Sequence, residues 1–260
     1  MRIALLLFLL MNWTTQGLAQ VTQRVVDIPT RPQIEQRMLV LSPPEPRAAA
    51  ILFAGGHGGL MIYPNGTFAW GDNNFLVRSR QMFAEQGLMV VLVDAPSDRR
   101  RPPFLSEFRQ RPEHVADIQA VIAWIRSQAK VPVWLVGTSR GTQSAAHVAT
   151  ALPGPDGPDG LVLTSSILTD DRNRPVPAMP LGQLRIPVLV VHHEQDACRL
   201  CLFSDIGPLM NQLDSVARKH LLVYRGGDNR GDPCAAMAYH GFNGLERDVV
   251  AQSVAWMLAQ

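Results

Sequence analysis

The chain has 260 residues, a length typical of one large domain or two small ones. Hydrophobic residues make up 47% of it and charged residues 18%, which allows a large core and argues against a disordered chain. The net charge of +2 is too small, and the basic residues are too scattered, to indicate binding to nucleic acid. The densest basic run, Arg99–Arg101, precedes two prolines and is typical of a solvated loop.

The first 19 residues, MRIALLLFLLMNWTTQGLA, have the pattern of a secretory signal peptide. Arg2 supplies the positive start, and the apolar stretch Ile3–Met11 is too short to span a bilayer. Gly17 and Ala19 are the small residues that a signal peptidase requires before the cut. We predict cleavage after Ala19, export to the periplasm or the medium, and no stable membrane anchor in the mature chain.

Beyond the leader, apolar strand-like runs alternate with helical patterns. The elements predicted in chain order are strands at Gln36–Leu41 and Ala49–Phe53, a helix at Asn74–Gln86, a strand at Leu88–Val93, a helix at His114–Gln128, a strand at Val133–Val136, a helix at Thr142–Ala151, strands at Gly160–Thr164 and Pro187–Val191, a helix at Asp205–Ala217, a strand at Leu221–Tyr224 and a helix at Leu245–Leu258. Apolar strands separated by amphipathic helices predict a mostly parallel sheet covered on both faces. The connections look short, and only Asp170–Leu184 exceeds a turn. Since that segment is too short for a lid domain, we predict a single domain from residue 20 to residue 260.

Ser139 lies between two glycines in Gly137–Gly141, GTSRG, where an apolar strand gives way to a helix. This strand–turn–helix context is the one that a nucleophile elbow requires, with glycines that relieve crowding at a strained turn. The following helix points its free N–H groups at the serine hydroxyl. A helix N-cap serine is the alternative interpretation of the same residues.

A serine nucleophile needs a histidine base, and the base needs an orienting carboxylate. At an elbow of this kind the chain order is serine, acid, histidine. Asp196 leaves the strand in VLVVHHEQD, and His240 follows the last strand. The competing candidates that we consider weaker are Glu194, His220, His192, His193, His147, His114, Asp228 and Asp232.

An oxyanion hole is predicted after the strand Ala49–Phe53, in Gly55–Gly59, GGHGG. Glycines let backbone N–H groups approach a developing oxyanion. The N–H of Arg140 would be the first donor, and the second would come from Gly56 or His57. A flexible turn is the plainer interpretation, and the absence of a Gly-Lys-Ser/Thr ending or a dinucleotide fingerprint argues against a phosphate cradle.

With these motifs in this order, the chain resembles the α/β-hydrolases over nearly all of its mature length, and within them the lidless esterases and dienelactone hydrolases. The resemblance rests on GTSRG, GGHGG, VVHHEQD and YHGF. It implies an α/β fold with an eight-stranded, mostly parallel sheet, helices on both faces and no large cap. It also implies acyl transfer at the carboxyl edge of the sheet. Two departures, Arg140 in the elbow and the long segment before His240, weaken any transfer of substrate class.

The predicted function is therefore hydrolysis of a small ester-like substrate through an acyl-enzyme on Ser139, with no cofactor and no metal. Fold alone does not decide the chemistry. A peptidase or an acyltransferase would use the same residues, and a non-catalytic binding protein could keep the fold. The sequence names neither the acyl group nor the alcohol, and it does not reveal the oligomeric state.

Three cysteines, Cys198, Cys201 and Cys234, lie in the exported part, where disulfides form. Cys198 follows Asp196 by two residues, and Cys234 precedes His240 by six. Because these two loops must meet, we predict a bridge between Cys198 and Cys234. A bridge between Cys201 and Cys234, a pair of Cys198 and Cys201, and three free thiols are the alternatives.

Overall fold

The computed structural model describes residues 20–259, so the predicted signal peptide lies outside the described residues. Eight strands belong to the sheet: β1 (Thr22–Arg31), β2 (Ile34–Ser42), β3 (Ala48–Phe53), β4 (Leu88–Val93), β5 (Val133–Thr138), β6 (Gly160–Thr164), β7 (Val188–His193) and β8 (Lys219–Tyr224). The α-helices of the described part are α1 (Phe75–Glu85), α2 (Pro112–Gln128), α3 (Arg140–Ala151), α4 (Ile206–Gln212) and α5 (Glu246–Leu258).

The sheet has the spatial strand order β1-β2-β4-β3-β5-β6-β7-β8. The pairs β1/β2 and β2/β4 are antiparallel, and every other neighbouring pair is parallel. The strands from β3 to β7 are buried along their whole length, as a sheet covered on both faces requires. The prediction of an eight-stranded, mostly parallel sheet is confirmed.

Two hydrophobic cores lie on opposite faces of the sheet, because successive strand residues point to opposite sides. Ile51 and Val91 pack in one core with α2, α3 and α4. Leu52 and Leu92 pack in the other with α1 and α5. In α2 the apolar face predicted from the sequence is buried, at Ile118, Val121, Ile122 and Ile125.

Strand β1 was not predicted from the sequence, and it forms the edge of the sheet. Its sequence, TQRVVDIPTR, is mostly polar, and only Ile28 in it is buried. An edge strand with one face toward water carries no apolar run for a sequence pattern to detect. Helix α4 ends at Gln212, five residues before the predicted Ala217, because the backbone turns there to enter β8.

The connections are longer than the sequence suggested. Segments 54–74, 94–111 and 225–245 leave the carboxyl ends of β3, β4 and β8, and each exceeds a simple turn. The segment that joins β6 to β7 contains only two single-turn helices, Val176–Ala178 and Leu181–Gln183, so residues 20–259 include no large cap. No helix in this range has the length and apolar character needed to cross a bilayer.

Candidate active site

The residues singled out in the sequence follow strands β3, β5, β7 and β8. These strands run parallel to one another, so their carboxyl ends meet at one edge of the sheet. The glycine-rich segment 55–59 follows β3, and Ser139 follows β5 directly. Asp196 lies three residues past β7, and His240 lies at the end of the connection that leaves β8. Topology therefore brings four distant segments to one place.

Ser139 occupies a strained backbone conformation, with φ of 52° and ψ of −127°. Its N–H donates to the carbonyl of Thr164 on the adjacent strand, which fixes the turn (3.1 Å). The alternative interpretation of an N-cap fails, because the Ser139 side chain caps no N–H of α3. A strained residue held by its neighbours is typical of functional sites.

Asp196 and His240 are in contact, as their places in the sequence predict. His240 Nδ1 lies 2.8 Å from Asp196 Oδ2, and both residues are buried. The other carboxylate oxygen, Oδ1, accepts the N–H of Cys198 at 2.9 Å. The carbonyl of His240 accepts the hydroxyl of Ser165 at 2.7 Å. Asp196 thus fixes Nδ1 of the His240 ring, and the hydrogen bond from Ser165 fixes the backbone of His240.

The other ring nitrogen of His240, Nε2, is buried and hydrogen-bonds no protein atom of the described chain. His240 and Ser139 line the same cleft. With Nδ1 occupied by Asp196, Nε2 is the nitrogen available to a hydroxyl group in that cleft. The arrangement can accept a proton from a nucleophile.

The competing acids and histidines have other partners. Glu194 forms an ion pair with Arg225, and His193 stacks on Tyr239 with ring centroids 4.4 Å apart. His192 bonds the carbonyl of Cys201 through Nε2, which also lies 3.6 Å from Asp196 Oδ2. The remaining candidates lie outside the residues that line the cleft: His220, His147, His114, Asp228 and Asp232.

The loop after β3 contains backbone N–H groups without protein partners, and Gly55 and Gly56 of this loop line the cleft. Gly56 has φ of 57°, and a side chain there would collide with Trp70, whose Cη2 atom lies 2.6 Å from the position of a Cβ. The N–H groups of Gly56, His57 and Arg140 donate to no protein acceptor within residues 20–259. The side chain of Arg140 forms an ion pair with Asp170 at 2.9 Å.

The imidazole of His57 is packed between two aromatic rings. Its centroid lies 3.9 Å from that of Trp70 and 4.4 Å from that of Phe104. Its Nδ1 accepts the N–H of Gly59 at 3.1 Å. Burial, and then the positive charge of Arg109, lower the pKa of His57. The His57 ring therefore stabilises the loop by packing as a neutral group.

Asp94, which the sequence analysis did not single out, holds the continuation of the same loop through backbone N–H groups. The buried carboxylate accepts the N–H groups of Leu60, Met61, Ile62 and Ala95, at 2.7–3.1 Å. Its position directly after an apolar strand, in VLVDAP, was the available signal. None of residues 94–101 is among the residues that line the cleft.

The cleft has a volume of about 500 Å³ and is lined by small, aromatic and amide side chains. No arginine or lysine is among these lining residues, and Asp72 is their one carboxylate. Arg78, in the stretch NNFLVRSR, pairs with Glu246 rather than facing the cleft. The lining residues are Gly55, Gly56, Ala69, Trp70, Gly71, Asp72, Asn73, Asn74, Phe75, Thr138, Ser139, Cys234, Ala235, Ala236, His240 and Gly241.

Cys198 and Cys234 form a disulfide in the structure, 36 residues apart in the chain, and Cys201 is a free buried thiol. The bridge joins the loop of Asp196 to the segment that carries His240. Cys198, Cys201 and His240 also form the one group of three candidate metal ligands that converge within 4.8 Å in the described residues. Because the sulfur of Cys198 is bonded to that of Cys234, this group lacks the thiolate that a metal would need.

Solved structures with the same fold include esterases and dienelactone hydrolases. A dienelactone hydrolase from Anabaena variabilis has a TM-score of 0.64 at 14% identity, covering 92% of this chain and 98% of its own. An esterase from Pyrococcus furiosus has a TM-score of 0.66 at 11% identity, over 96% and 95% of the two chains. A lidless α/β serine hydrolase from Xanthomonas campestris has a TM-score of 0.57 at 17% identity, over 90% and 95%.

No protein-family model matches the sequence, and no curated protein matches it either. The likeness to the solved structures extends over nearly the whole of the described chain, and it defines the fold. Residues 20–259 have the α/β-hydrolase fold and include no large cap.

Proposed function

We propose that this protein is a serine hydrolase that cleaves a small carboxylic ester through an acyl-enzyme on Ser139. The observation that carries the proposal is the imidazole of His240. Its Nδ1 lies 2.8 Å from the buried carboxylate of Asp196, and its Nε2 is free of protein partners in the cleft that Ser139 lines. The esterase and dienelactone hydrolase neighbours favour an ester as the substrate.

In the proposed reaction, His240 Nε2 takes the proton of the Ser139 hydroxyl as the oxygen attacks the ester carbonyl. Asp196 keeps Nδ1 protonated and stabilises the imidazolium. The N–H of Arg140 and one N–H of the 55–59 loop stabilise the oxyanion, which collapses as His240 protonates the leaving alcohol. Water, deprotonated by His240, then releases the acid and restores Ser139.

The cleft favours a small, uncharged acyl group. It offers no cationic lining side chain to pair with an acid, and its apolar walls come from Trp70 and Phe75. A volume of about 500 Å³ has room for a short acyl chain or a single ring. We therefore expect acetyl and butyryl esters of p-nitrophenol to be cleaved faster than the palmitoyl ester.

The decisive experiment is labelling of the purified, oxidised protein with a fluorophosphonate probe, beside Ser139→Ala and Ser166→Ala. Ser166 is the matched control, because its hydroxyl is buried nearby and bonds nothing in the described chain. We expect labelling of the wild type and of Ser166→Ala, and none of Ser139→Ala. Ester hydrolysis should fall in Ser139→Ala by a factor of at least about 10⁴. Equal labelling of all three proteins would refute the assignment of Ser139.

A further inference from the structure

A fully buried arginine, Arg109, lies behind the glycine-rich loop with no carboxylate partner. It is 3% exposed, and no acidic oxygen of the described residues lies within ion-pair distance of it. Burial, and then the charge of Arg140, lower its pKa to about 9. Burial of an unpaired charge lowers the stability of the folded protein, so an unpaired arginine in this position indicates a functional role.

The guanidinium of Arg109 joins α3 to the loop after β3, the two segments that contain the candidate N–H donors. Its Nη1 donates to the hydroxyl of Ser144 at 2.9 Å. Its Nη2 donates to the carbonyls of Ala54 at 3.0 Å and Gly56 at 3.2 Å. Ser144 lies one helical turn after Arg140 on α3, so a single rigid group fixes α3 and the loop relative to each other.

The bond to the Gly56 carbonyl also orients the next N–H. A trans peptide is planar, so the carbonyl of Gly56 and the N–H of His57 point in opposite directions. The carbonyl points inward, to Arg109, and Gly56 itself lines the cleft. The N–H of His57 therefore points away from Arg109, and it donates to no protein acceptor in residues 20–259.

A second contact shows that Arg109 packs closely against this loop. A Cβ at Gly58 would lie 2.5 Å from Nη2 of Arg109, and Gly58 has φ of 74°. The loop thus bends around the guanidinium. Its positive charge is close enough to the loop to lower the pKa of His57. A cation beneath the two donors also favours negative charge in front of them.

We propose that Arg109 is the positioning residue of the oxyanion hole, and that the second donor is the N–H of His57 rather than that of Gly56. Arg109 touches no substrate. It holds the peptide between Gly56 and His57 in the donating orientation and sets its distance from the N–H of Arg140. The inference rests on the proposed function and adds to it the residue on which the hole depends.

The test compares Arg109→Met, Arg109→Lys and Ser144→Ala with the wild type, on p-nitrophenyl acetate. An ill-positioned donor weakens binding of the transition state and not of the ground state, so kcat should fall while KM stays within about twofold. We expect a loss of about 10- to 100-fold in kcat for Arg109→Met, less than complete removal of a donor causes. Arg109→Lys should recover part of the loss, and Ser144→Ala should lose severalfold because Arg109 keeps its other two bonds.

The matched control is Arg126→Met, since Arg126 also donates to two backbone carbonyls, those of Pro155 and Gly157, away from the cleft. We expect it to keep its kcat. A folded Arg109→Met protein with unchanged kcat, or with a raised KM alone, overturns the inference. If Arg109→Met does not fold, Arg109→Lys and Ser144→Ala decide in the same way. Fluorophosphonate labelling of the wild type at Ser139 separates the two proposals, because its failure overturns the proposed function and this inference together.

Discussion

Buried titratable residues at single positions couple this fold to pH, and His114 is the clearest of them. Its side chain is 1% exposed and packs edge-on against Phe53 and Phe108, and neither ring nitrogen has a hydrogen-bond partner in the described chain. Burial, and then the charge of Arg109, lower its pKa to about 3. The ring is neutral in the folded protein at every pH at which an exposed histidine would begin to charge.

At a pH between the two pKa values, the unfolded chain therefore binds a proton at His114 and the folded chain does not. Stability contributed by the neutral ring is complete above an unfolded pKa of about 6.5 and is lost as the pH falls below it, toward the folded pKa of about 3. As the pH falls from about 7 to about 5, the free energy of unfolding of His114→Phe should rise by about 2 kcal/mol relative to that of the wild type. Urea unfolding of both proteins at the two pH values measures this, and a constant difference between them would contradict it.

At the scale of an element, the turn from β5 into α3 depends on two close backbone approaches. A Cβ at Gly141 would lie 2.0 Å from the carbonyl oxygen of Phe53, and one at Gly137 would lie 2.5 Å from that of Gly141. These atoms belong to backbone that cannot move without shifting β3 or α3. The glycines let α3 pack closely against β3 directly after Ser139.

Gly141→Ala should therefore destabilise the protein by about 3 kcal/mol and lower the proposed esterase activity through displacement of α3. Gly207→Ala is the matched control, because it also adds a methyl group to a helical glycine but meets no atom within 4 Å. A glycine in a helix costs about 0.5–1 kcal/mol relative to alanine, so Gly207→Ala should be neutral or stabilising. Thermal unfolding and initial rates distinguish the two variants, and similar losses in both would show that the clash is not the cause.

At the scale of the whole molecule, the disulfide joins the loop that carries Asp196 to the segment that carries His240, at one end of the sheet. It closes a loop of 36 residues, which the chain-entropy model values at about 4 kcal/mol. Such a bridge forms in an oxidising compartment, which agrees with the proposed export and cleavage after Ala19. The N–H of Cys198 also donates to the side-chain carboxylate of Asp196, so the bridge lies directly beside the carboxylate that contacts His240.

Cys234→Ser should lower the melting temperature and reduce kcat, because the segment of His240 gains freedom relative to Asp196. Cys201→Ala serves as the control, since Cys201 is free and buried and its removal leaves the bridge intact. Dithiothreitol should bring the wild type to the behaviour of Cys234→Ser and leave that variant unchanged. Melting curves and initial rates measure both effects. A Cys234→Ser protein as stable and active as Cys201→Ala would show that the bridge neither stabilises the protein nor positions the segment of His240.

The buried strands and most helices were predictable from the sequence. Leu88–Val93 and Gly160–Thr164 have the predicted bounds, because a fully apolar run between turn residues leaves little choice. Strand β1 was missed because an edge strand is half polar, and Arg109 because nothing in FRQRPEH distinguishes it from a surface arginine. The contact of His240 with Asp196 was predicted from chain order, while the roles of Ser139, Asp196 and His240 in a reaction stay predictions.

The alternation of strands and helices, the turn around Ser139 and the order of the candidate acid and base can be predicted from local patterns in the chain. Each of these features depends on residues within one strand, one turn or one helix. The groups that surround them are fixed by tertiary packing. Arg109 and the carboxylate of Asp94 contact the loop across 32 to 55 residues, and the ring of Phe104, 47 residues along the chain, stacks on His57. Such contacts depend on how separate segments pack, and no pattern within a single segment encodes them.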